Sequence, residues 1–293
     1  MLNPRDYQPE LPIPDGYTKG KILEALSSTT INGSVIGEFR GYVTADCERF
    51  LHTLNLVPQG EGELLEIGGS PYFTTLLLTR FRPKYKLNIT NFFNGGPRIE
   101  SQRVHFDGFD GEPEDHEFNF RNLNIEEWEF PYKDGQMDVV VFGEVLEHMT
   151  NDPLHAIREI NRVLNQDGVL ILTTPNAARW ENALAFLEGR NIYDPYSAYG
   201  PYGRHNREYT RHELHQLLTF GGFEADVEYT ANVHEDIPAS NSTLKAAKRA
   251  VRALKNREYD LGQYMFTRWR KVDSGSKGRP AWLYRSYPQD ELV

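Results

Sequence analysis

Two stretches of the sequence carry side chains that can take up a proton. The segment EVLEH holds Glu144, Glu147 and His148 and directly follows the apolar run MDVVVFG, while His205 lies in a later tyrosine-rich segment. Because histidine changes protonation near neutral pH, His148 is our first candidate for a general base and His205 the second. If EVLEH begins a helical turn, Glu144 and His148 share a face, which makes Glu144 a further candidate. The alternative is that Glu147 and His148 only cap the turn or bond to backbone.

The segment around His205 is IYDPYSAYGPYGRHNREYT, which carries five tyrosines among residues 193–209. Aromatic faces can stack on a sugar or a flat ring and can shield a cation. Because the segment follows the apolar run VLILTTPN, we expect it to face a ligand. The candidate substrate-binding residues are Tyr199, Tyr202, Arg207 and Tyr209. The alternative is a rigid surface loop that packs on the fold.

A third segment, EIGGSPYFTT, has the outline of a nucleotide-binding loop. Glu66 closes an apolar run, Gly68 and Gly69 follow, and SPYFTTLLLTRF predicts a helix with Ser70 as its N-cap and proline at its first position. The dinucleotide fingerprint would have further glycines where this chain has Ser70 and tyrosine, and the proline removes an N–H that a phosphate would need. The loop therefore favours a nucleoside without phosphates.

Alternating strands and helices must position these segments. Seven apolar or alternating runs predict strands: GELLEIGG, YKLNITNFF, HEFNFRNLN, MDVVVFGEV, VLILTTPN, FEADVEYT and GQYMFTRWRKV. Residues 94–115 are rich in Gly and Asp and predict a long loop. The alternation predicts an α/β fold with a doubly wound, mostly parallel sheet whose last strand is antiparallel. Ligands bind such sheets at the carboxyl ends of the strands.

The order of these segments resembles the class I S-adenosylmethionine-dependent methyltransferases over roughly residues 45–272. The similarity lies in LLEIGGSPYF, LNITNFF, FRNLNIEE, MDVVVFGEVLEHM, INRVLNQDGVLILTTPN and HNREYTRHELHQLLTFGGF. The resemblance implies a Rossmann-like, seven-stranded fold and S-adenosyl-L-methionine as the cofactor. It assigns cofactor binding to Glu66, Gly68, Gly69, Ser70, Asn91, Asn124, Ile125 and Gly143.

Within that assignment, Asn91 stands where the family has an acid that holds the ribose diol. Asn124 and Ile125 match the position that reads the adenine, and Gly143 matches the floor beside the reactive methyl group. Arg40, in the segment before the first core helix, could reach the cofactor carboxylate, although a solvated arginine is the alternative.

Such a protein would transfer a methyl group, and we expect an oxygen of a small-molecule, sugar or glycan-like acceptor to receive it. Methyl transfer to nitrogen or carbon is an alternative, as is a non-catalytic Rossmann-like module that only binds the cofactor or a partner. A nicotinamide-dependent oxidoreductase is disfavoured because the fingerprint glycines are absent.

Composition narrows the class of protein further. The net charge of −10 argues against a general nucleic-acid-binding surface. The single cysteine, Cys47, allows no intramolecular disulfide, and no segment has the length of an apolar membrane span or a signal peptide. We expect a soluble, cytoplasmic protein without a metal site, because no Asp/His cluster shows ligand spacing.

The predicted organisation is an irregular N-terminal arm over 1–43, one Rossmann-like domain over 44–272, and a C-terminal tail over 273–293. The domain is expected to include an acceptor-facing loop over 190–210 and a helical insertion over 236–260.

Overall fold

A computed structural model describes residue 2 and residues 9–34, 37–234, 241–252 and 257–293. These residues form a sheet of nine strands: β1 (Thr30–Ile31), β2 (Gly62–Ile67), β3 (Tyr85–Asn91), β4 (Arg98–Asp107), β5 (Pro113–Asn122), β6 (Met137–Gly143), β7 (Leu164–Pro175), β8 (Phe223–Ala231) and β9 (Tyr264–Lys271). The order across the sheet is β1-β4-β5-β3-β2-β6-β7-β9-β8.

The α-helices are α1 (Lys19–Ser27), α2 (Gly37–Leu56), α3 (Phe73–Phe81), α4 (Pro153–Val163), α5 (Trp180–Leu187), α6 (Arg211–Phe220) and α7 (Asn241–Arg252). Short 3₁₀ turns cover Leu146–His148, Pro201–Gly203 and Arg257–Asp260. Among the described residues, no helix is long and apolar enough to cross a membrane.

The sheet has the predicted doubly wound plan. Strands β5, β3, β2, β6 and β7 are neighbours and run parallel, whereas β9 is antiparallel to both β7 and β8. All seven predicted strands are present, so the α/β fold and the antiparallel last strand are confirmed. Two further strands, β1 and β4, extend the sheet beyond β5.

The prediction of a long loop over 94–115 is wrong. Its middle is β4, which pairs with β5 in an antiparallel hairpin from Arg98↔Asn122 to Asp107↔Pro113. The Gly and Asp residues lie mainly in the turns at either end of β4, and much of the strand is exposed. An exposed strand needs no continuous apolar run, and β4 therefore lacks the strand pattern used for prediction.

The irregular arm predicted over 1–43 contains helical structure. Thr18 caps α1 by accepting a hydrogen bond from Lys21 N, and Ile22 and Leu26 of α1 are fully buried. The helix α2 begins at Gly37, before the predicted end of the arm. The arm was expected to be irregular because α1 has nine residues, too few to show a sustained period. The division into arm, domain and tail stays a prediction.

The two later segments have more order than the sequence indicated. The helix α7 lies inside the predicted insertion, although 235–240 and 253–256 fall outside the described residues. In the predicted tail, Tyr284 is 6% exposed and donates a hydrogen bond to Asp152 at the start of α4, at 2.6 Å. The tail therefore packs on the sheet domain.

Apolar side chains cover both faces of the central strands. In β2, Leu64 belongs to the cluster under α1, α2 and α3, and its neighbour Leu65 belongs to the cluster under α4 and α6. Val139 and Val140 of β6 alternate in the same way. Strands buried on both faces are rigid supports, so the loops at their carboxyl ends are held at one edge of the sheet.

Candidate active site

Two glycines let the loop after β2 approach its neighbours closely. Gly68 has φ +77°, and a Cβ at this position would lie 2.7 Å from Val145 Cγ2. A Cβ at Gly69 would lie 2.6 Å from Ile89 Cγ2. Side chains at these positions would clash, and a left-handed φ strains any residue other than glycine. The glycines therefore hold the backbone of the loop against β3 and the loop after β6.

The helix after this loop begins later than predicted. Its first residue is Phe73, and its N-cap is Tyr72 with φ 74°, so Ser70 is not the N-cap and Pro71 is not the first helical residue. The Ser70–Pro71 peptide bond is cis. Tyr72 is fully buried and stacks on Phe118 with ring centroids 5.2 Å apart. Burial of this ring, which the sequence does not show, sets the start of α3.

The side chain of Asn91 holds the loop in place. Its Oδ1 accepts a hydrogen bond from Ser70 N at 2.8 Å, and its Nδ2 donates to Tyr72 Oη at 3.2 Å. Asn91 is 5% exposed at the end of β3. Both ends of its amide are therefore used within the protein. The ribose contact expected of Asn91 stays a prediction.

Two neighbouring cavities lie at the carboxyl ends of β2, β3 and β6. The larger has a volume of about 260 Å³ and the smaller about 90 Å³. Both are lined by Gly68, Ser70 and Glu144. Of the other predicted cofactor residues, Asn91, Asn124 and Ile125 line the larger cavity, and Glu66, Gly69 and Gly143 line the smaller.

Two buried acids give the smaller cavity its electrostatic character. Glu66 is 3% exposed and accepts a hydrogen bond from Thr75 Oγ1 at 2.6 Å. Burial raises the pKa of Glu66 to about 8. Burial also raises the pKa of Glu144 to about 8, although Arg49 opposes the shift. Carboxyl groups in such surroundings bind a positively charged ligand group readily, because it stabilises their ionised form.

Arg49, which is not among the residues predicted from the sequence, is the arginine that lies beside the two acids of the smaller cavity. It is 6% exposed, and its Nε donates to Asp46 Oδ1 at 2.9 Å, while its Nη1 lies 3.8 Å from Glu144 Oε2. Arg49 also lines the smaller cavity. Arg40, which lies earlier on α2, is exposed and lines neither cavity. The carboxylate contact expected of Arg40 stays a prediction.

The segment EVLEH does not form a helical turn on which Glu144 and His148 share a face. Its only helical turn is Leu146–His148, and Glu144 precedes that turn with φ +55°. Glu144 and His148 both line the larger cavity, but from different backbone conformations. Glu147 is fully buried, and its Oε2 accepts a hydrogen bond from Thr174 Oγ1 at 2.9 Å.

The two candidate histidines lie side by side. The rings of His148 and His205 are in edge contact with centroids 5.0 Å apart. His148 Nδ1 is 3.0 Å from the carbonyl oxygen of Arg204, and His205 Nδ1 is 2.9 Å from Glu208 Oε1. Because a carbonyl and a carboxylate only accept, both Nδ1 atoms carry the proton, and the Nε2 atom of a neutral ring is left free.

The pKa values of the two histidines are shifted in opposite directions. Burial lowers the pKa of His148, and the neighbouring His205 lowers it further. Burial alone would also lower the pKa of His205, but the hydrogen bond to Glu208 and the charges of Glu147 and Asp194 raise it overall. His148 is therefore neutral at neutral pH and able to accept a proton.

The tyrosine-rich segment contributes fewer ligand-facing residues than expected. Tyr202 lines the larger cavity, in edge contact with Phe92. Tyr199 is 82% exposed, and Arg207 pairs with Glu213 at 2.8 Å. Tyr209 is 1% exposed within the core beneath α6, so its ring cannot reach a ligand in this structure. Acceptor contacts by the other three residues stay predictions.

Fold and site together define the class I methyltransferase architecture. The chain belongs to the methyltransferase domain family, whose model matches residues 39–228. It is an S-adenosylmethionine-dependent methyltransferase, and S-adenosyl-L-methionine is its cofactor. No curated protein matches the sequence significantly.

Solved structures with a similar fold have low sequence identity. The Haloferax volcanii complex of the Trm112 methyltransferase activator with a methyltransferase matches at 14% identity and TM-score 0.49, over 80% of this chain and 95% of that chain. A Thermotoga maritima S-adenosylmethionine-dependent methyltransferase matches at 15% identity and TM-score 0.48, over 80% and 95%. Geranyl diphosphate C-methyltransferase from Streptomyces coelicolor, with S-adenosyl-L-homocysteine, matches at 12% identity and TM-score 0.46, over 82% and 88%.

The two cavities fit the parts of this cofactor. Apolar side chains line the larger one, among them Phe92, Leu123 and Ile125, and these suit an adenine ring. The buried acids Glu66 and Glu144 in the smaller cavity suit the ammonium and sulfonium charges. Gly68 lines both cavities. These residues would hold the cofactor across both cavities.

Proposed function

We propose that this methyltransferase acts on an oxygen atom of a small-molecule, sugar or glycan-like acceptor, and that the acceptor proton leaves through Glu147, His148 and His205. The observation that supports the proposal most directly is the position of His148. It lines the larger cavity, its Nδ1 is occupied by a carbonyl oxygen, and its lowered pKa keeps Nε2 free to accept a proton.

When bound, the cofactor supplies an electrophilic methyl group on its sulfonium. The protein then has to bring the acceptor oxygen into line with that methyl group, and such positioning can contribute about 7–11 kcal/mol to lowering the barrier. Phe92, Leu123 and Ile125 form an apolar part of the wall of the larger cavity. The acceptor would bind on the side of the larger cavity that His148 and Tyr202 line, beside the adenine ring, and Tyr202 offers it an aromatic face.

A hydroxyl acceptor must lose its proton as the new bond forms. His148 Nε2 takes that proton, and the positive charge is stabilised by Glu147, whose Oε1 lies 3.9 Å away. The side chain of His205 is 29% exposed, so a proton that it receives can leave to solvent there. A nitrogen or carbon acceptor would make less use of this cluster.

Tyr72 and Asn91 depart from the family pattern. Such departures would favour a non-catalytic module, but both residues have a structural role in this protein. Tyr72 is buried against Phe118, and Asn91 holds the backbone of the loop. Neither removes the cavities. Tyr72 and Asn91 shape the loop that lines both cavities.

The test is turnover with a panel of hydroxylated, amino and activated-carbon acceptors and a labelled methyl donor. We expect the label on oxygen, and His148→Ala should lower kcat/KM by about 100- to 10,000-fold while binding of S-adenosylhomocysteine is retained. The matched control is His212→Ala, which removes an exposed histidine of α6. Label on nitrogen or carbon, or normal turnover in both His148→Ala and His205→Ala, would refute the proposal.

A further inference from the structure

Three side chains of the proton-transfer cluster have the spacing of a metal site. Glu147, His148 and His205 each offer one ligand atom, and these atoms lie within 4.8 Å of one another. Glu147 Oε1 and His148 Nε2 are 3.9 Å apart. Around a cation with bonds of about 2.0–2.2 Å, ligand atoms lie about 3–3.5 Å apart. Small side-chain rotations would therefore bring all three into a coordination sphere.

Both histidines already have the hydrogen bonds that metal-binding histidines make. The Arg204 carbonyl accepts from His148 Nδ1, and the Glu208 carboxylate accepts from His205 Nδ1. Such bonds fix the tautomer and the ring orientation and direct the Nε2 lone pair toward a metal. Glu208 is itself held by a salt bridge from Arg179. The second histidine is therefore supported through two further residues.

An independent observation comes from Glu147. This residue is fully buried, and while Oε2 is bonded to Thr174, Oε1 has no hydrogen-bond partner among the described residues. A buried carboxylate oxygen without a partner is costly, and such atoms are rare in native proteins. Oε1 is the oxygen that faces His148 Nε2. A bound cation would satisfy it.

We propose that Glu147, His148 and His205 bind one divalent first-row transition-metal cation. Two imidazole nitrogens and one carboxylate suit Mn²⁺, Fe²⁺, Co²⁺, Ni²⁺ or Zn²⁺, whereas Mg²⁺ and Ca²⁺ prefer all-oxygen sites. The histidine side chains are 30% and 29% exposed, which leaves a route for the ion to enter. This proposal departs from the sequence expectation of no metal site.

The role of the metal rests on the proposed function. Three protein ligands leave at least one coordination position for another group. Because His148 also lines the larger cavity, that group would be the hydroxyl oxygen of the acceptor. A divalent cation would lower the pKa of a bound hydroxyl, and the proton would pass to Glu144, which lines the same cavity, instead of to a free histidine.

The first experiment measures metal binding without turnover. The full chain is stripped with a chelator and titrated separately with Co²⁺, Mn²⁺ and Zn²⁺ by calorimetry, with the Co²⁺ absorption spectrum as a second readout. We expect one bound ion, and at least about 100-fold weaker binding in Glu147→Gln and His205→Ala. Glu208→Gln should weaken binding by about 10- to 100-fold through the lost support of His205. His212→Ala should bind as wild type does.

Folding is checked by the unfolding midpoint and by binding of S-adenosylhomocysteine in Glu147→Gln and His205→Ala, because Glu147 and His205 line neither cavity. Glu147→Gln keeps the side-chain shape and the Thr174 bond, so it tests the carboxylate with little disturbance. The proposal is overturned if wild type binds none of the three ions, or if Glu147→Gln and His205→Ala bind them as tightly as wild type.

A second experiment separates the metal from the methyl transfer itself. Turnover that stops on chelation and returns with one of the three ions supports the metal role. Full turnover by protein shown to be free of metal overturns that role but leaves oxygen methylation standing. Failure of the proposed function shows separately, as label on nitrogen or carbon.

Discussion

Replacement of Glu66 by glutamine should change how stability depends on pH. The pKa of Glu66 is raised by burial, so the folded protein keeps this proton to higher pH than the unfolded chain does. Below the pKa that Glu66 has in the unfolded chain, its carboxyl group is protonated in both the folded and the unfolded state. Stability is therefore lost as pH rises from the unfolded pKa to the folded one. At about 1.4 kcal/mol per pH unit, a rise from 4.5 to about 8 removes about 5 kcal/mol in total.

The glutamine side chain of the Glu66→Gln variant would carry no such penalty, and its carbonyl oxygen can still accept the hydrogen bond from Thr75. We expect the stability of Glu66→Gln relative to wild type to increase by about 3 kcal/mol between about pH 5.5 and about pH 8. Urea unfolding curves at half-unit pH steps measure this difference. Other titrating groups cancel because both proteins contain them.

The matched control is Glu63→Gln in the same strand. The hydrogen bond from Lys86 lowers the pKa of Glu63, so that this carboxylate is ionised throughout the range. Its stability difference from wild type should not vary with pH. If the difference between Glu66→Gln and wild type were equally flat, the pKa of Glu66 would not be raised, and the electrostatic account of the smaller cavity would fail.

Four further substitutions test the packing of the site. Gly68→Ala should destabilise the protein by about 1–3 kcal/mol through its left-handed φ and weaken binding of S-adenosylhomocysteine measured by calorimetry; unchanged binding would contradict the close approach of the loop. Arg49→Met should cost about 3–5 kcal/mol in thermal unfolding, because it leaves the buried carboxylate of Asp46 without the guanidinium that donates to it, and a neutral effect would contradict this pairing. Tyr209→Ala should cost about 3–5 kcal/mol of unfolding free energy, whereas Tyr199→Ala should cost almost none, and equal effects would contradict their burial.

The sequence predicts the centre of the sheet well, because strands covered on both faces are almost continuously apolar. β6 is such a strand. The sequence predicts β4 poorly, because that strand has an exposed face. Ile99 is 65% exposed, and β4 pairs along its length with β5, which is equally polar. Its hydrogen bonds depend on a hairpin that local pattern does not reveal.

Within the site, the turn residues could be predicted and their partners could not. Gly68 was identified from local spacing, and it does line both cavities. Arg49 Nη1 lies 3.8 Å from Oε2 of Glu144, a residue that is distant along the chain. The cluster of His148 with His205 likewise forms only when the loop after β7 folds against the turn after β6. Local sequence does not indicate such contacts between segments that are distant along the chain.

The position of β9 determines when the sheet can be completed during synthesis. β9 is the last of the nine strands along the chain, yet it lies between β7 and β8 and pairs with both. Until 264–271 have left the ribosome, β7 and β8 each present an unpaired edge, and such edges promote association with other chains. The nascent chain is therefore most prone to aggregate just before this strand emerges, and a chaperone that shields strand edges would act at that stage.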